Sequence, residues 1–275
     1  MRRLFLGLCA VVFMTGLAAT AASGDGGPSP GISWGWDGVL ARNGQVRYVT
    51  LPAARNSVLA VVRVRDGRVL RFRSIRDAYG VPLVAYDGTG GGVSRDGKTL
   101  VLSRPARSLG ARATTAFAVL GTQRLRTKAV ITVNGVFSYD ALSPDASTLY
   151  LIQHLPGRNY TRYEVRAYDL EARRLLPRAI VDPNEPDERM SGQPLRRAES
   201  ADGRWTFTLY TNPGSHPFIH ALDTVDRRAV CIDLEWRGSQ DRLWTLRLIP
   251  TRDGAKLRLV NRRGQVVMSV DAPQV

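Results

Sequence analysis

The chain has 275 residues, a formal net charge of +15 and 44% hydrophobic residues. That length holds one large domain with a real core, and two cysteines exclude a disulfide framework. The lysines are only Lys98, Lys128 and Lys256, so arginine carries nearly all the positive charge. An arginine-rich balance fits a GC-rich genome, and equally an attraction to polyanions such as wall polymers or anionic lipid headgroups.

Arg2 and Arg3 precede an uncharged stretch, Leu4 to Ala22, that ends in the small residues Ala19, Thr20, Ala21 and Ala22. This is the layout of a signal peptide over residues 1–22, with export as its consequence. An uncleaved anchor is the rival reading, since the stretch is just long enough to span a bilayer. Cleavage removes Cys9 and leaves Cys231 alone, in the apolar run Ala229–Ile232, where a buried, inert thiol is expected. Residues 23–31, rich in Gly, Pro and Ser, read as a linker, and residues 32–275 as a single domain.

In that domain a turn of Asx followed by a small residue recurs about every fifty residues. The instances are Asn43-Gly44, Asp96-Gly97, Asp145-Ala146, Asp202-Gly203 and Asp253-Gly254. Each precedes an alternating, strand-like run, as primed hairpin turns require. A second hairpin is expected in each unit, turning at Asp66-Gly67, Gly121-Thr122, Asp169 to Glu171, Asp223-Thr224 and Arg262 to Gly264. Helical periodicity is nearly absent. Two hairpins per unit and five units predict an all-β protein: a β-propeller of about five four-stranded blades. Six follow if the irregular stretches 134–143 or 181–197 hide strands.

The segments VSRDGKTLVLS (Val93 to Ser103), LSPDASTLYLIQ (Leu142 to Gln153) and ESADGRWTFTLY (Glu199 to Tyr210) carry a family resemblance. They resemble the hairpin of WD-repeat-like and YVTN-type propellers, in the form found in secreted proteins of high-GC Gram-positive bacteria. The phrases Ala167 to Leu170 and Ala221 to Thr224 resemble the partner strand of that repeat. The resemblance implies a fold and a secreted or cell-envelope location; it implies no activity.

An aromatic–Asp–small triplet opens three units: Trp36-Asp37-Gly38, Tyr86-Asp87-Gly88 and Tyr139-Asp140-Ala141, with Glu199 at the matching point of the fourth. First strands of blades line a central channel, so Asp37, Asp87, Asp140 and Glu199 are candidate channel carboxylates. Converging carboxylates serve a glycoside hydrolase as acid and base, or hold a metal ion by oxygen, as in a lactonase. The plainer reading is that they cap turns.

The pairs Arg173-Arg174, Arg227-Arg228 and Arg262-Arg263 fall at second-hairpin turns and are candidates for one anion-binding rim; solvated edge charges are the alternative. His216 and His220 lie four apart in a loop and a strand, where that spacing places no two rings together, and His154 stands alone. No metal site and no cofactor is expected. Gly88 to Gly92 lacks the Lys-Ser/Thr of a phosphate loop and reads as a flexible connection.

The sequence therefore predicts a monomeric, non-enzymatic binding or scaffold module that holds a protein or an anionic wall or membrane-surface component. Nucleic acid is disfavoured by export. The alternative is a secreted hydrolase using the channel carboxylates.

Overall fold

The computed structural model describes residues 30–156, 162–186 and 190–273. The leader over residues 1–22, and the linker up to residue 29, lie outside the described residues.

β1 (Ile32–Ser33) leads into β2 (Gly35–Leu40), β3 (Val46–Ala53), β4 (Asn56–Arg63) and β5 (Val69–Arg76), and β2 to β5 form an antiparallel sheet in chain order. β6 (Val81–Pro82) pairs with β1, and β7 (Thr99–Arg104), β8 (Thr114–Gly121) and β9 (Arg126–Asn134) form the second sheet. The third is β10 (Val136–Leu142), β11 (Thr148–His154), β12 (Arg162–Asp169) and β13 (Arg174–Ile180), with β14 (Met190–Ser191) beside β12. The fourth is β15 (Gln193–Glu199), β16 (Trp205–Thr211), β17 (Phe218–Asp223) and β18 (Arg228–Asp233). A 3-10 helix, Gln240–Thr245, precedes the fifth: β19 (Arg247–Pro250), β20 (Lys256–Val260) and β21 (Val266–Asp271). Consecutive up-and-down meanders of this kind make the chain an all-β protein with a propeller fold.

The repeated turn has a local cause. Ser94 Oγ donates to Asp96 Oδ1 at 2.6 Å and accepts from Thr99 N at 2.9 Å, while Lys98 N donates to Asp96 Oδ1 at 2.9 Å. Ser143 with Asp145, Ser200 with Asp202, and Thr251 with Asp253 repeat the arrangement. The residue after the Asx has positive φ each time, at Gly44, Gly97, Ala146, Gly203 and Gly254. Each third strand is then hooked onto the start of the second: the N–H groups of Val64, Thr122, Leu170 and Thr224 donate to the carbonyls of Gln45, Lys98, Ser147 and Arg204.

The same hook identifies the strands of the fifth sheet. Ala272 N, after β21, donates to Ala255 O, before β20, at 2.9 Å. β21 is therefore a third strand, and the fifth sheet has no fourth among the described residues. The second sheet departs from four strands at the other end. Its first-strand position is held by the isolated Val93–Leu100 bridge and the bond from Val101 N to Gly92 O. The irregular stretches 134–143 and 181–197 do hide strands, β10, β14 and β15, and β10 and β15 are the first strands of the third and fourth sheets.

Successive sheets share apolar clusters. Tyr48, Leu59, Leu102 and Ala118 join the first to the second, and Val101, Phe117, Tyr139 and Leu151 the second to the third. Val165, Ala167, Tyr210 and Phe218 join the third to the fourth, and Phe207, Ile219, Leu248 and Leu257 the fourth to the fifth. Among the described residues no such cluster joins the fifth sheet to the first.

Candidate functional site

The first strands of the first, third and fourth sheets meet at a hub around a half-open cavity of about 680 Å³. Asp37 reaches it from β2, Asp140 from β10 and Glu199 from the end of β15. Asp87 reaches it differently. Tyr86-Asp87-Gly88 opens no strand; it sits in the segment between β6 and β7 that crosses the hub. Tyr86 N donates to Pro194 O at 2.8 Å, and the Tyr86 ring lies 6.2 Å from that of Trp244. The second sheet is thereby tied to the fourth sheet and to the 3-10 helix before the fifth.

The glycines that follow are packed rather than open. A Cβ on Gly90 would stand 2.7 Å from Gly38 O, and one on Gly91 would stand 2.7 Å from the Tyr139 ring. At Gly92 it would meet Val101 O at 2.3 Å. The run is glycine because other backbones and a buried ring press against it, which replaces the expectation of a flexible connection.

The four carboxylates line one cavity, and three of them are already engaged. Asp140 pairs with Arg197 in a contact whose side chains are 3% and 7% exposed. Burial opposes the charge of Arg197, yet Asp140 beside it outweighs that and raises the guanidinium pKa. Glu199 Oε2 accepts from Arg42 Nη1 at 2.7 Å, and Arg42 also donates to the carbonyls of Val93 and Ser94. Asp87 accepts from Thr89 N and Thr89 Oγ1 and lies 3.7 Å from Arg196 Nε. Only the Asp37 carboxylate has no bonded partner among the described residues. Burial raises the pKa of Tyr139, which keeps its hydroxyl neutral at the wall.

Two further cations line the cavity with no carboxylate partner among the described residues. Arg47 Nη1 donates to the carbonyls of Trp36 and Asp37 at 3.3 and 2.8 Å. Arg95, exposed beside the second Asx turn, makes no bond among the described residues. The sequence pattern does not single out Arg42, Arg47 or Arg95. The available signal was cations in the first hairpin of a unit, close to its aromatic–Asp triplet.

The arginine pairs do not share one rim. Arg173-Arg174 and Arg227-Arg228 stand at third-to-fourth-strand turns, where Arg173 and Arg227 have positive φ. Arg262-Arg263 stand at a second-to-third-strand turn, at the opposite end of the fifth sheet. The cause is that the fifth sheet has no fourth strand among the described residues, which makes its last hairpin an earlier one in the meander. Arg228 Nε lies 3.3 Å from Asp223 Oδ2 and its guanidinium covers the Trp205 ring; Arg227 reaches Thr148 on the third sheet. Arg173 and Arg174 are exposed.

Of the histidines, His216 is exposed in its loop, and His154 is buried at the end of β11, with Ser138 Oγ 2.7 Å from its Nε2. His220 is buried in β17, 4.0 Å from the Cys231 sulfur, and burial lowers its pKa to about 4. Cys231 is half-buried, because β18 is the outer strand of its sheet. Among the described residues no three His, Cys, Asp or Glu side chains gather as a metal site.

No family model and no curated protein matches the chain. Solved structures with a similar course include TolB from Acinetobacter baumannii, at 13% identity and a TM-score of 0.48 over 86% of this chain and 54% of that one. The chain thus spans about half the length of that protein. The Myceliophteria thermophila Cps50 (Swd1) β-propeller domain matches at 11% identity and 0.46, over 86% of this chain and 62% of that one. A functionally unknown protein from Desulfotomaculum acetoxidans matches at 11% and 0.49, over 86% and 71%. The propeller fold rests on the strand order and the shared hub, and these likenesses add no activity to it.

Proposed function

We propose that this chain is a non-catalytic binding module of the cell envelope whose hub cavity takes an anionic group of a protein or wall component. The supporting observation is the imbalance of engagement within the cavity. Asp87, Asp140 and Glu199 are neutralised by Arg196, Arg197 and Arg42, while Arg47 and Arg95 make no ion pair among the described residues and share the cavity with the unpaired Asp37. An anion entering there gains charge-assisted hydrogen bonds and displaces no ion pair. A glycosidase needs two carboxylates disposed to act as acid and base on a sugar. Three of the four here are held by arginines, which favours binding over that chemistry.

Calorimetric titration with poly(glycerol phosphate) at low and high salt tests the reading. Arg95→Glu is expected to weaken binding about tenfold, and high salt to weaken it further. Unchanged affinity in that variant, with loss in Arg173→Glu/Arg174→Glu instead, would move the site to the outer turns. Sequencing the mature N-terminus tests export: the expected start lies just after Ala22, and a start at Met1 would overturn cleavage.

A further inference from the structure

Among the described residues, the fifth sheet has no strand in the position that finishes the other sheets. Elsewhere the fourth strand closes a core, placing Ile75 of β5, Ile131 of β9, Ile180 of β13 and Ala229 of β18 in buried clusters. In the fifth sheet the third strand, β21, stands at the edge, and Met268 and Val270 lie half-buried at the fringe of a cluster. Val230 and Ile232 of β18 fringe the same cluster, also half-buried. Two elements therefore offer apolar surface to one vacant position.

The edge itself is unprotected. The four outer strands read VLRFRSIR, RTKAVITVN, RLLPRAI and RAVCID, each with arginine, lysine or proline of the kind that blocks strand addition. β21 reads VVMSVD, with no cation and no proline, and its Asp271 is bonded to Lys256 at 2.7 Å. Its ladder also has a direction. Because Ala272 N bonds inward to Ala255 O, Val270 and Met268 turn their backbone groups toward β20. Ser269 and Asp271 turn theirs outward.

We propose that β21 is a docking edge that takes one extended segment of a partner protein as an antiparallel fourth strand, apolar at alternate positions and ending in carboxylates. The neighbouring sheet sets the width of the seat. The fourth sheet has one strand more than the fifth and packs on it, so β18 overlies the vacant position. A second copy pairing β21 to β21 would bring its own β18 into the layer that β18 already fills; a single strand fits. Charge sets the end. An antiparallel segment finishes beside the start of β21, where Arg262 and Arg263 are exposed in the Asn261–Gln265 turn. Carboxylates at that end meet two guanidinium groups. This edge is separate from the hub cavity.

The test uses a fluorescein-labelled peptide of about eight residues, alternating Val and Thr and ending Glu-Glu, against the same peptide ending Lys-Lys. Anisotropy should show the acidic peptide binding about tenfold more tightly, with the preference reversed in Arg262→Glu/Arg263→Glu. Those two side chains are exposed, so the reversal leaves the fold intact. Ser269→Pro, which removes an outward N–H, should abolish binding of both peptides. On hydrogen exchange the amides of Ser269 and Asp271 should gain protection when the acidic peptide is added. No peptide binding, equal binding by Ser269→Pro, or no response to the charge reversal each overturns the proposal. Two other outcomes overturn it in favour of another occupant. Sedimentation as a dimer that Ser269→Pro dissolves assigns the edge to a second copy. Protection of both amides in the free chain assigns it to the chain itself.

Discussion

Single residues carry measurable strain and charge in this fold. Ala146 holds φ 58° in the third Asx turn, where the other four turns place glycine. A Cβ in that region costs roughly 1–2 kcal/mol, partly offset by the extra freedom glycine has when unfolded. Ala146→Gly is therefore expected to stabilise the protein by up to about 1 kcal/mol, read by urea denaturation. Arg197→Leu should act oppositely. It leaves Asp140 buried and unpaired, a loss of about 3–5 kcal/mol that thermal melting will show, while Asp140→Leu/Arg197→Leu recovers part of it. His220 gives a pH signature. Its folded pKa of about 4 lies below the ordinary histidine value of 6.5, so the contribution is present above pH 6.5 and is lost as pH falls toward 4. His220→Gln should flatten the stability profile across that window.

At the scale of elements, the Asx turns act as a set. Asp96, Asp145, Asp202 and Asp253 all have lowered pKa values, first because Ser94, Ser143, Ser200 and Thr251 donate to them and then because backbone N–H groups do. Depressed carboxylates stabilise the fold above their unfolded pKa and lose that effect as pH falls through the folded value. Replacing the four hydroxyl residues by alanine is expected to shift the acid unfolding midpoint upward, followed by circular dichroism. These turns were legible in the sequence because every bond in them spans five residues or fewer. The first strands β10 and β15 were harder to read. At the hub, VFSYDAL and QPLRRAE place charged residues where an ordinary strand would alternate, so their pattern does not announce a strand. Turn residues such as Arg262-Arg263-Gly264 identify a hairpin but not its rank in the sheet. The missing fourth strand was for that reason invisible, and with it the placement of the third arginine pair.

Across the whole molecule the sequence pointed to repeats, and the structure adds the contacts that break the repeat. Asp37 and Asp140 reach the hub from first strands, as their place at the starts of units suggested, whereas Asp87 reaches it from the segment between β6 and β7 and Glu199 from the end of β15. The arginine partners did not follow from any such position, because Arg42 and Glu199 lie 157 residues apart, and Arg197 and Asp140 lie 57 apart. No local pattern encodes such a pairing.

The segment crossing the hub has a consequence for cooperativity. In a linear array of repeats each unit senses only its neighbours, and an end unit can be removed at the loss of one interface. Here Tyr86 and Asp87 of the second unit lean on Pro194, Arg196 and Trp244, and Arg42 of the first unit holds Glu199 of the fourth. The energetics are thus closer to a wheel with spokes than to a row of tiles. Stopping the chain at residue 233, after the fourth sheet, should broaden or abolish the unfolding transition measured by calorimetry. A sharp transition of the same midpoint would mean that the fifth unit is an independent appendage. The first sheet would complete its hub contacts only after Glu199 has left the ribosome, and the second only after Trp244, which makes folding late and collective rather than sequential.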